Sequence, residues 1–176
     1  MNQQCEPGII VSSFYHLANV IDQADAVISV LGASDKLLFP DVGRRPVLRL
    51  TFDDIDHTSE NFVAPLREQI VDLIEFARVW SGAGTLLVHC RAGSSRSPAA
   101  AMIAAAALGL QDSASLVTRI RTARAYFRPN ETMLKLADDL LGITPRLLDL
   151  SRSVPVLTRI DKWSPARIPL MALSGP

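Results

Sequence analysis

Gly84-Thr85-Leu86-Leu87-Val88-His89-Cys90-Arg91-Ala92-Gly93-Ser94-Ser95-Arg96-Ser97-Pro98 leads from an apolar run, through a cysteine and a short polar loop, into an alanine-rich segment. Thr85 to Val88 is β-branched and apolar and is bounded by glycine, the pattern of a buried strand ending at His89. Pro98 opens the run from Ala99 to Leu108, a strong helix former with proline near its first turn, where the missing N–H costs nothing. Between them, Arg91, Ala92, Gly93, Ser94 and Ser95 separate Cys90 from Arg96. That spacing suffices to wrap once around a tetrahedral anion with successive N–H groups turned inward, while the helix N-terminus adds the positive end of its dipole. The stretch predicts a strand, a phosphate cradle and a helix in that order.

The same field acts on the cysteine. A free thiol has a pKa near about 8.5, but at a helix N-terminus beside cations such groups fall to roughly 3.5–7.5 and become nucleophilic thiolates. Cys90 is therefore the candidate nucleophile on phosphorus. Arg96, across the loop, can offer parallel N–H bonds to phosphoryl oxygens, a geometry lysine cannot reproduce. Ser97 is placed to donate to the Cys90 sulfur when it leaves, and His89 to orient the loop through its ring N–H. The bland alternative is a Cys90 that packs as a small hydrophobe in a strand-to-helix turn.

His89-Cys90-x5-Arg96-Ser97 resembles the signature of cysteine-dependent protein tyrosine phosphatases. Ala92-Gly93-x-Ser95-Arg96-Ser97-Pro98 is similar to the variant in dual-specificity phosphatases, here of the small, bacterial type. The resemblance implies a phosphomonoester hydrolase that passes through a cysteinyl-phosphate. It would act on phosphotyrosine, and by extension on phosphoserine and phosphothreonine, in protein substrates, and would be inhibited by phosphate, sulfate or vanadate.

Such chemistry needs a group that protonates the leaving oxygen and then deprotonates water. The candidates lie in Leu50-Thr51-Phe52-Asp53-Asp54-Ile55-Asp56-His57, where a predicted strand runs into an acidic loop. Aligned with the acid loop of dual-specificity phosphatases, Asp54 takes the acid position. Asp56 is its rival, because the segment from Ile55 to Pro65 is longer than the usual loop, and Asp53 is a second alternative. Each could instead be a turn residue or a helix cap. Arg128-Pro129-Asn130 resembles a family segment that supports the active-site loop; Pro129 reads as a turn residue and Asn130 as a donor behind the loop.

Strands are expected at Ile9 to Val11, Ala26 to Leu31, Val47 to Phe52 and Thr85 to Val88. Helices are expected from Phe14 to Asp22, Ala64 to Trp80, Pro98 to Leu108, Ser113 to Tyr126 and Thr132 to Leu141, with Gly142 as a stop. The alternation predicts an α/β fold, a central, largely parallel sheet of four to five strands flanked by helices, as in phosphatases, with the reactive loop at the carboxyl end of a central strand. At 176 residues and 48% hydrophobic, the chain suits one domain. The phosphatase-like part is expected over 1–143. A proline-punctuated extension over 144–176 is expected to be partly ordered, docked or flexible, with Leu147 to Leu150 as its only helical hint.

Eighteen basic and 18 acidic side chains cancel, which argues against a surface built for nucleic acid or anionic membrane. Arg119, Arg121, Arg124 and Arg128 read as a solvated face. No apolar run has the length of a membrane span, and no secretory signal pattern is visible, so a cytoplasmic location is expected. Cys5 and Cys90 do not make a disulfide framework, Cys5 being read as an incidental thiol. His16, His57 and His89 lack metal-ligand spacing, so no metal and no other cofactor is expected. A phosphatase with a shallow site is favoured by the lack of a Lys-Asn-Arg-Tyr type loop. The loop holds Arg91 but no lysine, which makes phosphoinositides the second substrate class; a phosphoresidue-binding pseudophosphatase is the non-enzymatic alternative.

Overall fold

The computed structural model describes residues 7–35, 42–110, 117, 127–153 and 165–169. Strands β1 (Gly8–Ser13), β2 (Ala26–Leu31), β3 (Val47–Thr51), β4 (Thr85–Cys90) and β5 (Ala166–Pro169) form one sheet in the order β3-β2-β4-β1-β5. The first four are parallel and β5 runs antiparallel to β1. This is the expected phosphatase-like α/β architecture, with β4 at the centre.

Both faces of the sheet are covered, and the two-residue alternation of a strand decides which side chain goes where. Ile9, Val11, Ile28, Val30, Leu86, Val88 and Cys90 join a core beneath helices α1 (Arg67–Trp80), α2 (Arg96–Ala107) and α3 (Glu131–Leu141). Ile10, Val27 and Leu87 face the other way, onto Leu17, Val20 and Ile21. The parity of β4 thus turns Cys90 toward the helical layer and His89 away from it, against the Phe14 ring at 6.0 Å.

Helix α2 is buried on all sides from Arg96 to Ala106. Alanine suits it, because a helix packed against a sheet and two helices has no polar face and leaves little room for longer side chains. Pro98 is its third residue, still among the first four N–H positions that lack an intrahelical partner, so the helix begins two residues before the proline. Val117 is buried in the same core; the remainder of the helix expected over Ser113 to Tyr126, with Arg119, Arg121 and Arg124, lies outside the described residues, as does Cys5.

Several boundaries differ from expectation for physical reasons. The helix expected over Phe14 to Asp22 is instead two 3-10 helices, Phe14–Asn19 and Ile21–Gln23; Phe14, Leu17 and Val20 recur every third residue, the spacing that a three-residue turn aligns. Helix α1 starts at Arg67 rather than Ala64, since Pro65 disfavours helical backbone before it and Leu66 is extended. Its first turn is closed by Gln69, whose Oε1 accepts the Leu66 N–H at 2.9 Å while its Nε2 donates to the Thr51 carbonyl at 2.9 Å. Strand β3 stops at Thr51, and β4 runs on to Cys90 because both neighbours keep pairing, Ser13 and Val30 lying opposite Cys90. Beyond residue 143, helix α4 (Leu147–Ser153) is longer than its Leu147–Leu150 hint, and its first N–H groups, Leu147 and Leu148, donate to the buried Asp138 carboxylate at 2.6 and 3.2 Å. Gly142 ends α3 in the left-handed conformation, as its composition suggested. Among the described residues no helix is long and apolar enough to cross a membrane.

Candidate active site

Residues 91 to 95 link the end of β4 to the start of α2 and curl over the Cys90 side chain. Gly93 adopts φ +73°, a backbone conformation that glycine takes without strain, and its N–H donates to Cys90 Sγ at 3.0 Å. Ser97 Oγ lies 3.2 Å from the same sulfur and 3.3 Å from the Ser12 carbonyl oxygen. One hydroxyl proton thus has two acceptors within reach, and a negatively charged sulfur would draw it away from Ser12. Cys90 itself is only 2% exposed.

Arg96 forms the opposite wall and is buried. Its Nη1 donates to the Phe52 carbonyl at 2.8 Å, and its Nη2 lies 3.8 Å from Asp35 Oδ2. Its buried Nε has no acceptor among the described residues. A buried N–H without a partner costs free energy unless something fills the space it faces, and the chemistry of this donor set fits an oxyanion. Arg91, exposed at the rim, donates from Nη1 to Asp35 Oδ1 at 3.1 Å and from Nε to the Tyr15 hydroxyl at 3.4 Å. These contacts, that with Tyr15 foremost, raise its pKa further above the usual arginine range. Ala92 and Ser94 complete the loop, and Ser94 and Ser95 are tied from behind: their carbonyls accept the N–H groups of Arg128 and Asn130 at 2.9 and 3.4 Å.

The three sequence candidates for the acid separate cleanly. Asp53 closes its own loop, accepting the Val63 N–H on Oδ2 at 2.9 Å while its N–H donates to the Val63 carbonyl at 2.6 Å. Asp56 Oδ1 accepts from Thr132 Oγ1 at 3.2 Å, at the start of α3. Asp54 alone of the three bonds to the 91–96 loop: its Oδ1 accepts from Ser95 Oγ at 2.6 Å and from Asn130 Nδ2 at 3.0 Å. Asn130 does two jobs at once. Its Oδ1 caps α3 by accepting the Met133 N–H at 2.9 Å, which leaves Nδ2 as the end that faces Asp54. Beside these groups opens a cleft of about 710 Å³, lined by Asp54, Asp56, Ser94, Ser95, Arg128 and Asn130 among others, within the size range of small-molecule and side-chain sites.

His89 has a different environment. Burial pushes its pKa from 6.5 down to about 4, and a hydrogen bond with the Cys90 backbone opposes that in part. Between those pH values the unfolded chain binds a proton that the folded one does not, so stability is present above 6.5 and declines as pH falls through the window, by on the order of 3 kcal/mol. We expect the melting temperature to drop between about pH 7 and pH 4.5 and the slope to flatten in His89→Asn; parallel slopes would show that another group carries the effect.

Sequence reasoning missed Asp35. The residue follows Gly32 at the carboxyl end of β2, the same end of the parallel sheet as the Cys90 loop, and that shared end was the available signal. Among the described residues no group of three or more histidine, cysteine, aspartate or glutamate side chains could hold a metal ion.

No protein-family model matches the chain, and no curated protein does. Among solved structures, the crystal structure of DUSP15 is similar with a TM-score of 0.57 and 19% sequence identity, over 87% of this chain and 93% of that one. Tk-PTP in its active form gives a TM-score of 0.48 at 17% identity, over 74% of this chain and 87% of that one. OH1 from the Orf virus, a tyrosine phosphatase described as having triple substrate specificity, gives 0.37 at 17% identity, over 82% and 78%. The likeness to DUSP15 agrees with the fold described above.

Proposed function

We propose that this chain is a cysteine-dependent phosphomonoester hydrolase of the protein tyrosine and dual-specificity type. The observation that carries the reading is the convergence on one sulfur: Cys90 Sγ receives the Gly93 N–H and lies beside Ser97 Oγ at the foot of a loop that ends in Arg96, whose buried Nε faces no protein acceptor among the described residues. A phosphoryl group seated there would accept from the loop N–H groups and from Arg96, with its phosphorus in line with the sulfur.

In the first step the Cys90 thiolate forms a sulfur–phosphorus bond as the phosphorus–oxygen bond to the leaving group breaks. Asp54 protonates that oxygen. Ser95 and Asn130 hold its Oδ1, which leaves Oδ2 to carry the proton. In the second step the same carboxylate takes a proton from water as the water attacks phosphorus. The thiolate then departs, stabilised by the Ser97 hydroxyl, and inorganic phosphate is released. Phosphoproteins are the proposed substrates, phosphotyrosine first and phosphoserine or phosphothreonine with it, in a cytoplasmic setting without a metal or other cofactor.

The test uses two aryl phosphates. Asp54→Ala should lower kcat on phenyl phosphate by about 10²–10³-fold, because phenolate leaves poorly without a proton. The same variant should lower kcat on para-nitrophenyl phosphate much less, since nitrophenolate needs little help. If Asp56→Ala shows that leaving-group dependence instead, the acid is Asp56. Turnover of neither ester by the wild type, with vanadate still bound, would replace the enzyme by a phosphoresidue-binding module.

A further inference from the structure

We infer that Asp35 is a positioning residue that aims Arg96 at the phosphate seat and draws Arg91 back to the rim; this deepens the phosphatase reading and rests on it for the identity of the anion. The Asp35 side chain is 4% exposed, rare for a carboxylate unless it is paired. Its Oδ2 accepts the Gly32 N–H at 2.8 Å, which fixes the carboxylate within the turn that follows β2. The same oxygen lies 3.8 Å from Arg96 Nη2, and Oδ1 accepts from Arg91 Nη1 at 3.1 Å. One buried carboxylate therefore serves both arginines of the loop.

The geometry shows why this matters for Arg96. A guanidinium has five donors in a rigid plane, so fixing two directions fixes the rest. Phe52 accepts from Nη1, Asp35 draws Nη2 toward itself as an ion pair at 3.8 Å, and Nε is left for an anion. Without Asp35 the guanidinium is held at one corner only and can swing about the Phe52 carbonyl. Gly32 itself makes room for the neighbouring Asp53 carboxylate, since a Cβ there would lie 2.3 Å from Asp53 Oδ1, while its 3.5 Å to Asp35 Oδ2 is an ordinary contact.

Asp35 also adds a negative charge, paired with Arg91 and Arg96, to a site that must hold a thiolate and a dianion. Its two effects therefore have opposite signs, which makes them separable. In Asp35→Asn, loss of the charge should raise the rate of Cys90 alkylation by iodoacetamide at about pH 6 some two- to threefold. Loss of aim should nevertheless raise the inorganic phosphate concentration that half-protects Cys90 by about fivefold, and lower kcat on para-nitrophenyl phosphate by about tenfold. A purely electrostatic role would strengthen phosphate protection, and a purely structural one would lower the melting temperature without accelerating alkylation.

The coupling is checked by a double-mutant cycle: in an Arg96→Lys background Asp35→Asn should change phosphate protection by less than about twofold. Asp35→Glu, which keeps the charge on a longer arm, serves if the Asn variant does not fold, and should weaken phosphate protection with no change in alkylation rate. Phosphate protection unchanged or strengthened in Asp35→Asn, or in Asp35→Glu where that variant replaces it, overturns the proposal. A wild type that turns over no phosphate ester overturns the phosphatase reading alone, because alkylation and phosphate protection need no turnover.

Discussion

Cys90→Ser should lower kcat on para-nitrophenyl phosphate by at least about 10⁴-fold while phosphate and vanadate still bind. The expected loss is large because nothing at the site can rescue a hydroxyl nucleophile. The imidazole next in sequence, His89, lies on the other face of β4 against Phe14, and burial lowers its pKa to about 4, so it is neither placed nor basic enough to take a proton from residue 90. Ser97 offers only a hydroxyl beside the sulfur, which is no base for residue 90. A thiol can react as its thiolate without a neighbouring base, whereas an alcohol cannot. Binding should survive, since the loop N–H groups and Arg96 remain and a serine oxygen can accept the Gly93 N–H in place of sulfur. Residual kcat above about 1% of wild type would exclude a phosphocysteine mechanism.

The reactive loop was legible in the sequence because its signals agree locally: a glycine-bounded strand, a short loop with one glycine, and a proline near the start of a helix. The alanine run predicted a helix, while its burial on all sides is seen only in the structure. The choice of Asp54 as the acid rests on likeness to a family pattern, and its contact with Ser95 joins residues 41 positions apart in the chain. Asp35 left no trace at all. A single aspartate after a strand reads as a turn residue, and its two arginine partners lie 56 and 61 residues later. β5 was hidden for a related reason: Ala166-Arg167-Ile168-Pro169 is short and ends in proline, which an edge strand tolerates because that N–H has no ladder partner to lose. The 3-10 turns after β1 carry the pattern of one helix, because burial at every third residue matches part of an α-helical stripe over so few turns.

The second large effect is expected at Arg96→Lys, a substitution that keeps the charge. We expect kcat/KM on para-nitrophenyl phosphate to fall by about 10³-fold, within the range associated with a transition-state arginine in phosphoryl transfer. Arg96 makes three uses of one rigid plane: Nη1 on the Phe52 carbonyl, Nη2 toward Asp35, and Nε left for the substrate. A lysine ammonium is a point donor. If it sits on Phe52 and Asp35, as their buried acceptors require, it is too far back to follow the equatorial oxygens as negative charge spreads over them. If it moves forward to the phosphate, it strands the Phe52 carbonyl and brings Asp35 closer to uncompensated charge. Either way the deficit should appear mainly in kcat, because the loop N–H groups still bind the ground-state dianion. Single-turnover kinetics should locate the loss in sulfur–phosphorus bond formation, and the half-protecting phosphate concentration should rise by only about tenfold. Arg96→Lys with more than about one tenth of wild-type kcat/KM would show that Arg96 acts as a charge and not as a planar clamp, and would remove the reason for Asp35 to hold it.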